Sequence, residues 1–232
     1  MRIAFLVPIA AAPDDPSFGP ASGGYLYDER MAGALRARGH EVGLIWTARS
    51  PGQAEVDRVV TRLRAERWDA VLEDELGFET YAAVNARLRE RGGSAALVGL
   101  IHVPAALLER ARTSANVERR FLSTLDAAVY VSRSVRRDTE AVLGAWVPSH
   151  VVPPGADPPA VHATPRRASG STRPLQLISV GHLLPHKGYL ELADVLRRLA
   201  RDGSTPEWAA SWVGDLDLAP TYRDAVLARL HW

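Results

Sequence analysis

No cysteine occurs in the 232 residues, which excludes a disulfide framework and any thiolate metal site. The seven histidines lie too far apart for zinc-ligand spacing, so no metal is expected. Nor is there a surplus of one charge. The formal net charge is +1 and the pI about 8.2, so the basic excess that nucleic-acid binding draws on is missing, and no nucleic-acid partner is expected. No apolar run approaches the ~18 residues of a membrane span. The opening MRIAFLVPIAAAP has the look of a leader, but Pro8 breaks it and Pro13, Asp14 and Asp15 follow, which suits a buried first strand better. A reducing, cytoplasmic setting is the expectation. Lysine is almost absent: of 28 basic residues, Lys187 is the single lysine. A compact ammonium kept in a chain that otherwise uses arginine points to a place where a planar guanidinium will not serve.

What is present, 47% hydrophobic and 24% charged residues, is the makeup of a globular chain with material for a core. Short β-branched runs alternate with segments of helical period, the pattern of βαβ units on a parallel sheet. Strands are expected at Arg2 to Val7, Glu41 to Trp46, Ala70 to Glu73, Ala96 to Ile101, Ala127 to Val131 and His150 to Val152. Helices are expected near Gly24 to Arg38, Gln53 to Arg67, Thr80 to Arg91, Pro104 to Leu122 and Ser134 to Leu143. In the second of these, Val56, Val59, Val60 and Leu63 share one face and should turn inward. This is a doubly wound α/β domain over residues 1–153.

Residues 154–174 are rich in Pro, Gly, Ala, Ser and Thr and read as a linker. A second Rossmann-like domain begins at 175. It opens with the strand Leu175 to Val180, a polar loop from Gly181 to Lys187 and a helix from Gly188 to Arg201; the strand Ala210 to Val213 and a helix from Pro220 follow. Two strands cannot bury a parallel sheet on both faces. The segment 175–232 is therefore expected to be the start of a longer domain, the chain an incomplete form, and self-association through this part its consequence.

Three segments could carry chemistry. Gly23 and Gly24, after the first strand and at the start of the first helix, would let backbone N–H groups approach an anion; the bland reading is a tight turn. His102 follows the fourth strand directly, at the sheet edge where open α/β folds bind ligands; a structural histidine at a helix entry is the equal alternative. Gly181-His182-Leu183-Leu184-Pro185-His186-Lys187-Gly188 joins a strand to a helix N-terminus. There Lys187 and the helix dipole would hold a diphosphate, with Gly181 and Gly188 allowing close approach. A polar turn ending in a solvated lysine is the competing reading.

Four stretches in order, Arg38-Gly39-His40-Glu41-Val42 with the preceding glycine pair, Val129 to Ser134, Val151 to Asp157 and Val180 to Gly188, resemble a family 4 glycosyltransferase of the GT-B class. The resemblance implies transfer of a sugar from a nucleotide-diphosphate donor to an acceptor, with retention, no required metal and no cofactor. It implies that Gly23 and Gly24 lie against the donor phosphate, that His102 lines the reaction centre and that Lys187 binds the diphosphate and stabilises departing charge. Where the family has Gly-Arg this chain has Gly181-His182, so a phosphate cation is replaced by a side chain that ordinarily titrates near ~6.5, and donor affinity is expected to vary with pH. The family's Glu-rich donor motif falls beyond Trp232. Two other readings compete: a non-catalytic GT-B-derived binding or scaffold domain, and a sugar-nucleotide epimerase. A peripheral membrane contact through Arg110, Arg112, Arg119 and Arg120 is weighed against an ordinary solvated face.

Overall fold

The computed structural model describes residues 1–9, 23–48, 52–90, 92–109, 112–144, 147–155, 174–202 and 207–230. By its internal contacts the chain divides into Met1–Asp157 and Pro158–Trp232. The first unit runs β1 (Arg2–Ile9), α1 (Gly23–Ala37), β2 (Glu41–Ala48), α2 (Gln53–Arg64), β3 (Ala70–Asp74), a 3-10 turn (Glu75–Gly77), α3 (Phe78–Glu90), β4 (Ala96–Ile101), α4 (Ala105–Glu109), α5 (Arg112–Ser123), β5 (Ala127–Tyr130), α6 (Arg133–Leu143) and β6 (Ser149–Val151).

Its six strands form one sheet in the order β2-β1-β3-β4-β5-β6, every pair parallel. The chain steps from β1 outward to β2, then crosses back to β3 on the other side. Because crossovers are right-handed, this reversal sends α1 to one face and the later helices to the other. Alternation along β1 records it. Ile3, Phe5 and Val7 pack on the face of α1 with Ala32 and Leu35, while Ala4 and Leu6 pack with Val59, Tyr81 and Phe121 on the other. The run is apolar throughout because a central parallel strand is buried on both sides. Val56, Val59, Val60 and Leu63 of α2 are all buried, as their spacing requires. Ser132 caps α6, its Oγ accepting the N–H of Val135 at 3.0 Å, and Gly144 ends that helix in the left-handed conformation.

One helix differs from expectation. The stretch from Pro104 to Leu122 is two helices, α4 and α5. The Glu118 carboxylate reaches back to accept the N–H groups of Ala105 and Ala106, the latter at 2.9 Å. A side chain from α5 thus caps the start of α4, which a continuous helix would not allow.

The second unit holds β7 (Leu175–Val180), a 3-10 turn (Pro185–Lys187), α7 (Tyr189–Arg201), β8 (Trp208–Val213) and α8 (Pro220–Leu230). Its two strands are parallel, and Leu183, Tyr189, Ala193 and Val226 form its core. Ile178, Val180 and Val213 are exposed. Most of the expected linker, residues 156–173, lies outside the described residues.

Candidate functional site

The carboxyl ends of β1, β3 and β4 flank the point where the strand order reverses, the usual ligand crevice of an open α/β sheet. Four side chains converge there. Asp74 ends β3, Glu75 opens the 3-10 turn after it, His102 follows β4 directly, and Asp28 comes down from α1. Asp28, Asp74 and Glu75 are buried, and His102 is 15% exposed at its side chain. Strand alternation sorts the acids: Glu73 points to the α3 face, where Asn85 donates to it at 3.0 Å, and Asp74 points to the α1 face.

Each acid has its own work. Glu75 accepts the backbone N–H groups of His102 and of Val103, the latter at 2.8 Å, and so fixes the turn that carries His102. Asp74 accepts the N–H of Leu76 at 2.9 Å, starting the 3-10 turn. Asp28 Oδ1 lies 3.2 Å from His102 Nε2, and Tyr27 meets the imidazole edge-on, centroids 5.4 Å apart. Tyr27 is itself anchored to the Val152 carbonyl at 2.7 Å.

Burial pushes the Asp28 carboxyl up to about 6, with a hydrogen bond from Asp74 drawing it partly back. Asp74 is raised by burial first and by the charge of Asp28 second, while His102 opposes both. Glu75 is raised by burial and then by Asp74. Among the described residues, Asp28, Asp74 and His102 bring one side-chain N or O atom each to within 4.8 Å of one another.

Of the residues singled out in the sequence, Gly23 and Gly24 open α1. A side chain on Gly23 would meet nothing within 4 Å, so the backbone there stands open to approach; residues 19–22 of the same stretch lie outside the described residues. His102 lies where the spacing put it. What sequence reasoning missed was its company: Asp28, Asp74 and Glu75. The Glu73-Asp74-Glu75 run is visible in the sequence, but acids at a strand end are ordinarily solvated, and only the fold buries them.

In the second unit, Gly181, His182, Lys187 and Gly188 line the turn from β7 to α7. Lys187 is exposed, and no ion pair of its side chain occurs among the described residues. Gly188, left-handed at φ 73°, caps α7 without any side-chain hydrogen bond; in the first turn the Leu190 N–H is taken by the Tyr222 hydroxyl at 3.2 Å, so an anion there would meet the remaining amides. Burial, then the charge of Lys187, pushes His186 below its ordinary value. His182 Nδ1 accepts the N–H of Asp215 at 3.2 Å, and Leu183 donates to the Asp215 carbonyl at 2.9 Å. The turns after β7 and β8 are thereby stitched together.

The arginine group on the helices is partly committed within the molecule. Arg119 donates to the Leu143 carbonyl at 2.5 Å and to Asn116 at 3.0 Å, while Arg110 lies outside the described residues. No helix among the described residues is long and apolar enough to cross a membrane.

No family model matches the chain, and no curated protein matches it in sequence. Solved structures match in shape. HepE of Anabaena in complex with UDP aligns at 16% identity with a TM-score of 0.66, over 99% of this chain and 65% of that one. The sucrose-phosphate synthase of Thermosynechococcus elongatus aligns at 14% and 0.64, over 99% and 73%. An apo structure of OtsA aligns at 14% and 0.60, over 98% and 68%. The chain thus spans 65% to 73% of the length of these proteins. These neighbours are GT-B glycosyltransferases, and the likeness shows the architecture: this chain has a GT-B-like α/β fold with a six-stranded parallel sheet.

Proposed function

We propose that the chain belongs to a glycosyltransferase that moves a sugar from a nucleotide-diphosphate donor to an acceptor, with retention and without a metal. The observation that carries this reading is Lys187, the single lysine, exposed beside the N-terminus of α7, where Tyr222 takes one first-turn amide, in a GT-B-like fold whose neighbour HepE was solved with UDP. A diphosphate seated there would meet the lysine charge and the positive end of the helix dipole together. The same pair would stabilise charge on the departing diphosphate, a preorganised electrostatic contribution. His182, with Nδ1 engaged by Asp215, would offer Nε2–H to a phosphate oxygen. In the first unit, His102 would face the acceptor, and the open backbone at Gly23, with Gly24 next to it, would admit an anion.

Lys187→Ala is the direct test. Titration calorimetry with UDP should show affinity reduced about tenfold or more, equivalent to about 1.4 kcal/mol. Thermal stability should change by less than about 0.5 kcal/mol, as for most surface substitutions. Equal UDP affinity in variant and parent would remove Lys187 from the site and take the chemical centre out of this reading.

A further inference from the structure

The buried carboxyl pair beside His102 has an unbalanced charge. Asp28 Oδ2 and Asp74 Oδ2 are both buried and, taken as carboxylates, have no hydrogen-bond partner. Among the described residues no lysine or arginine is paired with either acid; the basic group against them is His102. Two uncompensated negative charges in a buried site cost far more than one. A single proton between the two carboxyls removes one charge and makes each oxygen the partner of the other, as O–H···O⁻. The remaining negative charge then lies on Asp28, whose other oxygen is 3.2 Å from His102 Nε2. A carboxylate there requires a donor, so Nε2 carries the hydrogen, and in the neutral ring Nδ1 holds the lone pair. No hydrogen bond to Nδ1 of His102 occurs among the described residues.

We propose that Asp28 is a positioning residue that holds His102 as its Nε2–H tautomer, leaving Nδ1 to accept the proton of a hydroxyl-bearing acceptor, while Asp74 stores the proton that keeps the pair singly charged. That the substrate is a hydroxyl compound rests on the transferase reading; the Asp28–His102 arrangement does not. In the step itself, the acceptor O–H proton passes to Nδ1, giving an imidazolium balanced by Asp28. The hydroxyl oxygen forms its bond to the anomeric carbon, and the bond from that carbon to the diphosphate oxygen breaks, its electron pair leaving with the diphosphate. For the step to retain configuration the hydroxyl must approach from the face that the diphosphate leaves, so Nδ1 takes the proton on that same side. The order in which burial raises the acids agrees, Asp28 remaining the more acidic of the two. Glu75 lies outside the relay because its carboxylate is occupied by the N–H groups of His102 and Val103, and Tyr27 touches only the ring edge.

The test is long-range ¹H–¹⁵N spectroscopy of the 232-residue chain labelled at histidine, with the His102 signals assigned by their loss in His102→Gln. At neutral pH the unaltered chain should show Nε2 protonated and Nδ1 not. In Asp28→Asn the amide can donate to Nε2, so the tautomer should shift toward Nδ1–H. Asp28→Ala, which takes the acceptor away from Nε2, should likewise lose the preference for Nε2–H should the asparagine variant fold poorly. An Nδ1-protonated His102 in the unaltered chain, or an unchanged tautomer in the folded variants, overturns the proposal. With nucleotide-sugar donors, Asp28→Asn should lower kcat about a hundredfold with donor KM unchanged and the acid limb of the pH profile displaced. Equal kcat in variant and parent would also overturn it. Absence of turnover in the unaltered chain would instead count against the transferase reading, with the spectrum still deciding the state of His102.

Discussion

Glu73 shows what a single residue costs when the fold rather than the sequence sets its surroundings. It is fully buried, with one oxygen bonded to Asn85 and the other without a partner among the described residues. Burial raises its carboxyl to about 8, the Asn85 bond and Arg89 pulling the other way. A folded-state value above the unfolded one means that the stabilising state is protonated. Its contribution is complete below the unfolded pKa and is lost as pH rises toward 8, a difference of roughly 4 to 5 kcal/mol across the whole window. Glu73→Gln keeps the shape and removes the ionisation. Its melting temperature should match the parent near pH 5 and exceed it by several degrees at pH 8 to 9; a parallel pH dependence in the two proteins would show that Glu73 is not the group responsible. Nothing in the local sequence distinguishes Glu73 from Asp74. The period-two alternation of a strand predicts that they face opposite ways, but which side holds α1 and its Asp28 depends on crossover topology.

At the scale of elements, most boundaries were legible because end signals are local. Arg38-Gly39-His40 ends α1 with Gly39 at φ 83°, and Ser132 begins α6; two of the stretches that carry the family resemblance are thus capping chemistry. The α4–α5 break was not legible, because the Glu118 carboxylate that caps α4 comes from a residue far along the next helix. The contact between the two turns of the second unit was equally hidden. A Cβ on Gly214, at φ 156°, would lie 2.1 Å from the Gly181 carbonyl oxygen and 2.9 Å from the His182 amide nitrogen. Backbone on backbone leaves no flexible neighbour to yield. Gly214→Ala should therefore push the β8 turn away, break the Asp215 bond to His182 and cost about 3 kcal/mol. Urea unfolding followed at Trp212, which stacks edge-on with Tyr189 at 5.7 Å, would measure it. A cost under about 0.5 kcal/mol would mean that the turns are free to separate.

At the scale of the whole molecule, the alternation of strands and helices made a parallel α/β sheet legible, while the order β2-β1-β3-β4-β5-β6 was not, since it depends on where the crossover reverses. That reversal is also what gathers His102, Asp74 and Asp28 at one edge. The two units carry separate cores of unequal size. In the first, two clusters line the two faces of six strands; in the second, five buried apolar residues among those described, Leu183, Tyr189, Ala193, Leu196 and Val226, support two strands, with Ile178 70% and Val180 75% exposed. Buried apolar area is the main favourable term in folding, so the second unit should unfold first and by itself. Calorimetry of the chain should resolve two transitions, the lower from residues after 158 and the upper from residues before it. The substitutions argued above label them: Gly214→Ala should lower only the first, and Glu73→Gln at pH 8 to 9 should raise only the second. A single transition displaced by both variants would show that the two cores unfold as one cooperative body.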